Sequence, residues 1–125
     1  MTQQETLDIV INGLRAQGCK SIGEYASKIG SAETTTGCCY RGANGTKCAA
    51  GQLIPNDKYK PEMEGLICSN DNNVRAVLLE EGHDLSLCRK LQTIHDCYEP
   101  YEWEEKFRNL ADGWNLVYTP PTINV

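Results

Sequence analysis

Gly37-Cys38-Cys39-Tyr40-Arg41-Gly42-Ala43-Asn44-Gly45-Thr46-Lys47-Cys48-Ala49-Ala50-Gly51 is the stretch on which the fold turns. Asn44-Gly45 is a strong hairpin signal, because both residues tolerate φ > 0. Folding about that turn lays the Cys38/Cys39 arm beside the Cys48 arm. Arg41 and Lys47 then lie close together near the turn. Two or three thiols and two cations thus share one small β-ribbon over residues 38–51.

Helical patterns surround this ribbon. Thr2-x-x-Glu5 is a capping box, and Leu7, Val10, Ile11 and Leu14 follow at i, i+3, i+4, i+7 up to Gly18. Ser21-x-x-Glu24 is a second capping box, with Ile22, Tyr25 and Ile29 marking a short helix that ends at Gly30. Residues 31–37 read as a loop or extended lead-in. Residues 48–54 suit either a strand or a helix, and Glu62 to Leu66 suits one helical turn. A helix from Asp71 carries Val74, Val77 and Leu78 and ends near Gly82. Asp84 is the N-cap of another, striped by Leu87, Leu91, Ile94 and Tyr98. Pro100 opens the last helix, with Trp103, Phe107 and Leu110 facing the core and Gly113 as its C-cap. Trp114, Leu116 and Tyr118 alternate with Asn115 and Val117 as a strand does. The expected fold is α+β: four or five short helices packed on a small antiparallel sheet centred on the 38–51 hairpin, with 114–118 as a candidate third strand.

At 125 residues, 40% of them hydrophobic and 23% charged, the chain reads as a single globular domain over 1–125. No apolar run approaches the length of about 20 residues that a membrane span needs. Met1-Thr2-Gln3-Gln4-Glu5 has neither a basic nor an apolar signal-peptide region, which points to the cytoplasm. Seven cysteines, an odd number without a secretion signal, are expected as thiols. The net charge is −5, which argues against general nucleic-acid binding. It is unevenly spread. Residues 41–60 hold Arg41, Lys47, Lys58 and Lys60 against Asp57, whereas residues 80–112 hold nine acids against four bases.

Cys38-x-Tyr40-Arg41-Gly42, Gly45-x-Lys47-Cys48-Ala49-x-Gly51, Leu53-Ile54-Pro55, Tyr59-x-Pro61-x-Met63-Glu64-Gly65 and Leu91-Gln92-x-Ile94-His95-Asp96, with Trp103 beyond, form a distinctive string. It resembles a family of small uncharacterised proteins encoded by bacteria and their phages. The resemblance covers the first helix and about residue 38 to the end, and it implies no catalytic role. Residues 21–37 stand apart from the pattern as an insertion, and Gln52 stands where a second cysteine is expected.

Four kinds of chemistry compete for these residues. Zinc needs short-spaced Cys or His pairs; none is present, and His95 and Cys97 diverge by about 200° on a helix. No metal or cofactor is therefore expected. A nucleophilic Cys48, its pKa lowered by Lys47, would need His95 and Asp96 as a relay. Neighbours on one helix are not expected to form one, because the carboxylate must reach the far side of the ring. The plainer expectation packs Cys48 under the hairpin and bonds His95 to a backbone carbonyl. Arg41 and Lys47, with Tyr40 and His95, are the candidate ligand-binding residues for a phosphate or nucleotide. The alternative ties Arg41 and Lys47 to Glu62 or Glu64. Glu102, Glu104 and Glu105 offer an acidic contact for a basic protein. The leading expectation is a small non-enzymatic binding protein, a phage accessory factor acting on a host protein, with counter-defence as one job. Behind it stand an anionic-ligand module and then a cysteine-dependent enzyme.

Overall fold

The computed structural model describes residues 1–26, 34–64 and 72–121. Among these residues, five α-helices accompany one two-stranded antiparallel sheet, so the α+β class holds. In order they are α1 (Gln3–Gln17), β1 (Ile22–Ala26), β2 (Thr34–Cys38), α2 (Ala49–Leu53), α3 (Asn72–Glu80), α4 (Leu85–Cys97) and α5 (Trp103–Gly113). No helix among the described residues is long and apolar enough to cross a membrane.

The helices form where their end signals stand. The Thr2 hydroxyl accepts the Glu5 N–H at 3.1 Å, and the Glu5 carboxylate accepts the Thr2 N–H at 3.0 Å, closing the capping box. Gly18 ends α1 at φ 70°. The α1 stripe Leu7, Val10, Ile11 and Leu14 is buried, and α1 packs on α2 and α4. Leu87, Leu91 and Ile94 of α4 continue that core, as do Trp103 and Phe107 of α5. The α3 residues Val74, Val77 and Leu78 are buried as their spacing requires.

The sheet lies elsewhere than at 38–51. Its strands are β1 and β2, paired from Ile22↔Cys38 to Ala26↔Thr34. The Asn44-Gly45 turn itself forms as read. Asn44 has φ 60° and Gly45 φ 73°, and the Thr46 N–H donates to Ala43 O at 3.3 Å. Two further bonds cross its arms: Gly42 N–H to Thr46 O (2.9 Å) and Cys48 N–H to Cys39 O (3.3 Å). The arms nevertheless build no ladder, because side chains take the donors. The Tyr40 and Arg41 N–H groups go to the Glu64 carboxylate, and the Lys47 N–H goes to Gln17 Oε1. Beyond the turn, Cys48 becomes the N-cap of α2, which settles residues 48–54 as helical.

Residues 22–26, expected as helix, form β1. Ser21 is buried; its N–H donates to His95 Nε2 and its carbonyl accepts the Cys39 N–H at 2.9 Å. Both groups are therefore aimed sideways, and the chain leaves Ser21 extended. Ile29 and Gly30 lie outside the described residues, as do Gly65, Leu66 and Asp71. The turn expected from Glu62 appears as a 3₁₀ turn over Pro61–Met63.

Residues 114–118 are no strand. Asn115, at φ 56°, reverses the chain after α5, whereas Gly113 keeps ordinary helical backbone inside the helix. The segment then runs along α1 with its neighbour's side chains as partners. Gln4 bonds both the N–H and the carbonyl of Val117 (2.8 and 2.9 Å), and Arg15 Nη2 donates to Thr119 O at 2.7 Å. Burial alternates as the sequence pattern suggests, but among the described residues no strand pairs with it.

Two glycines give the packing a direct test. A Cβ at Gly51 would lie 2.4 Å from the Tyr40 carbonyl oxygen, whereas one at Gly113 would meet nothing within 4 Å. Gly51→Ala should destabilise by about 2–3 kcal/mol through overpacking. Gly113→Ala should stabilise by up to about 1 kcal/mol through helix propensity. Urea unfolding of both variants checks the pair.

Candidate functional site

Two polar clusters gather the residues that the sequence singles out. The first surrounds Arg41. Its guanidinium donates to the carbonyls of Tyr40 (3.0 Å), Gly51 (2.9 Å) and Ile54 (2.6 Å) and to Asn56 Oδ1 (3.0 Å). It also sits over the Tyr59 ring, 5.0 Å from the centroid. Glu64 lies beside it. One carboxylate oxygen accepts the Tyr40 N–H at 2.7 Å; the other accepts the Arg41 N–H at 3.1 Å and the Tyr59 hydroxyl at 3.0 Å. Burial lowers the Arg41 pKa from its ordinary value. Burial, followed by the bond to Glu64, raises that of Tyr59. The tie between the turn and Glu64 thus exists, but through backbone N–H groups, while the guanidinium binds carbonyls that end α2 and begin the next turn.

Lys47 lies apart from this cluster. It lines a shallow hollow of about 530 Å³ with Gln17, Cys19, Asn44 and Gln52, and Arg41 does not reach that hollow's lining. Tyr40 is buried. The cations and the aromatic residue expected around one anion therefore do not converge.

The second cluster centres on His95, which is 0% exposed and stacks on Trp103 at 5.7 Å. Its Nε2 accepts the Ser21 N–H at 3.0 Å, so that nitrogen carries no proton. Its Nδ1 then carries the hydrogen and donates to Asp96 Oδ1 at 2.7 Å. The same oxygen accepts Gln92 Nε2 at 2.9 Å, and Gln92 Oε1 accepts the Ala50 N–H at 2.8 Å. The Cys38 thiol also donates to Asp96. Burial works to raise the Asp96 pKa, but the bonds from His95 and Gln92 prevail and hold it below the ordinary carboxylate value.

This geometry corrects two expectations. His95 bonds a backbone N–H rather than a carbonyl. Asp96 does reach the ring of its chain neighbour, because Nδ1 is the ring nitrogen nearest the main chain. The result is still no nucleophile relay. The order is thiol–carboxylate–imidazole, and the imidazole's lone pair is closed off by Ser21. Burial, with the Asp96 charge behind it, pushes the Cys38 thiol up to about 12. Burial likewise raises Cys48, which is 1% exposed, where a lowering by Lys47 was the expectation.

Cys38, His95 and Asp96 also place one ligand atom each within 4.8 Å of one another. A metal on Nδ1 would require the hydrogen on Nε2, facing the Ser21 N–H donor to donor. The trio therefore does not fit a metal ion. Cys38, Gln92 and Ser21 were not legible as members of this cluster, since they arrive from three elements. The one local signal is the four-residue spacing of Gln92 and Asp96 on a helix.

The acidic side chains divide. Glu104 pairs with Arg15 at 2.6 Å and accepts the Tyr118 hydroxyl at 2.7 Å. Glu102 accepts the Glu99 N–H. Glu105 is exposed, and Tyr101 is 86% exposed.

Thiol chemistry and stability test these assignments. In native protein near neutral pH, iodoacetamide should label the exposed Cys19 and Cys97 before the half-buried Cys38. Asp96→Asn removes the charge that holds the Cys38 proton, so its labelling should quicken. First labelling at Cys38 in the wild type would contradict the assignment. Arg41→Ala should lower stability by about 3 kcal/mol, because several carbonyls lose a charged donor; thermal unfolding measures it.

Comparison with protein-family models, with curated proteins and with solved structures finds no match.

Proposed function

We propose that the chain is a small non-enzymatic binding protein that recognises a basic protein surface. The observation behind this reading is that Arg41, Glu64, Cys38, His95 and Asp96 bind the chain's own backbone and one another. Tyr101 by contrast is 86% exposed, with the half-buried Glu102 beside it and the exposed Glu105 one turn on, and Glu105 makes no ion pair among the described residues. An exposed tyrosine supplies contact area at low entropic cost, and the carboxylates favour a lysine- or arginine-rich partner. The resemblance of the motif string suggests the setting, a phage-encoded accessory factor acting on a protein of the bacterial host in its cytoplasm, and counter-defence is one job open to such a factor.

Affinity capture from host lysate tests the reading. Wild-type protein should retain a partner that rising salt releases. Tyr101→Ala should weaken that partner about 30-fold, the equivalent of about 2 kcal/mol for a central tyrosine. Glu105→Lys should weaken it further. Capture of nothing by the wild type, together with a rise in melting temperature on adding phosphate or nucleotide, would transfer the function to an anionic ligand instead.

A further inference from the structure

We propose that the docking of the first turn of α1 onto the α3–α4 turn is an acid-sensitive latch operated by His83. Three consecutive residues of the α3–α4 turn meet the start of the chain. Gly82, at φ 85°, approaches so closely that a Cβ there would lie 2.8 Å from the Met1 nitrogen. His83 Nδ1 lies 2.6 Å from Thr6 Oγ1. Asp84 Oδ2 accepts Gln3 Nε2 at 3.1 Å, while its other oxygen caps α4 by accepting the Leu87 N–H at 3.1 Å.

The central contact is the titratable one. His83 is 5% exposed and Thr6 is 0% exposed. The Thr6 hydroxyl already has an acceptor in Thr2 O at 3.2 Å, so its lone pair faces the imidazole and takes the hydrogen of Nδ1. A doubly protonated ring keeps this bond, so acid acts on the latch through the charge it adds and not through loss of the Thr6 contact. A second ring proton would place a buried positive charge beside the N-terminus of α1, the positive end of its dipole. The groups around it do not outweigh the cost of burying that charge. From the start of the chain come the Met1 amino group, which opposes protonation, and Glu5, which is engaged in the capping box. From the end of α3 come Glu81, which favours protonation but bridges to Lys58, and Glu80, which bridges to the same lysine. From the start of α4 comes Asp84, already bonded twice. Burial, the largest of these effects, lowers the His83 pKa from its ordinary 6.5.

The sign follows from linkage. A histidine with a lowered folded pKa binds its proton more readily once the latch opens. Stability of the docked turn is then complete above about pH 6.5 and is lost as the pH falls below it. Each pH unit between the ordinary and the lowered value should make the opened turn about ten times more populated.

Hydrogen exchange of the full chain between about pH 7.5 and 5, corrected for intrinsic rates, reads this opening. The Thr6 and Leu7 amides should show the rise, whereas Phe107 and Ala111 in α5 should not. In His83→Gln the rise should vanish. A pH-independent opening at Thr6 in the wild type, or an unchanged rise in His83→Gln, would overturn the latch. If His83→Gln does not fold, NMR titration of the wild-type His83 ring decides. A midpoint clearly below the ordinary histidine value supports the latch, and one at or above it ends the proposal.

Discussion

The buried imidazole of His95 is the point on which the arrangement of the chain depends. One ring nitrogen receives the Ser21 N–H and the other gives its hydrogen to Asp96. A buried polar ring is tolerated only when both nitrogens are satisfied, and here each partner comes from a different neighbour. Ser21 leads into β1, and its carbonyl receives Cys39 at the end of β2. Asp96 collects Gln92, whose amide oxygen takes the Ala50 N–H of α2. A single turn of α4 thus sets the position of the sheet, of α2 and of the Cys38 thiol. Trp103 covers the ring from the α5 side.

A second clasp works in the same way on the other side of the turn at Asn44-Gly45. The Glu64 carboxylate receives two successive backbone N–H groups, and the Arg41 guanidinium gathers the carbonyls that face it. Acid and base are close, yet each serves the backbone more than the other. The chemistry-bearing residues are therefore structural in their detailed bonding. A cysteine, a histidine and an aspartate meet, but the thiol gives its hydrogen to the Asp96 carboxylate, and the bare nitrogen of the imidazole faces the Ser21 N–H instead of the thiol. This is why the surface rather than the interior carries the functional reading.

How much of this was legible depends on the range of the signal. The capping box at Thr2 and Glu5, the α1 stripe and the Asn44-Gly45 turn are local, and each forms as its residues suggest. The same local logic misleads at Ser21-Ile22-Gly23-Glu24-Tyr25. Its spacing satisfies a helix start, but the Ser21 N–H is claimed by a histidine from α4, a partner 74 positions away. The arms of the turn fail as strands for an equally distant reason, because Glu64 takes the donors that a ladder would need. At the chain's end, Gly113 looks like the helix stop, yet the left-handed position falls on Asn115. Asparagine tolerates that backbone nearly as well, so the residue type alone does not separate the two. The candidate site was legible by residue and not by arrangement. Arg41 and His95 are central, while Tyr40 is buried and Lys47 lies outside both clasps.

Nitrogen NMR of the His95 ring tests the central claim most directly. The account predicts a ring hydrogen on Nδ1, an acceptor-type Nε2, and a hydrogen-bond coupling from the Ser21 amide to that Nε2. A hydrogen found on Nε2, with no coupling to Ser21, would contradict it, and would reopen the Cys38–His95–Asp96 trio to a metal ion or to catalysis.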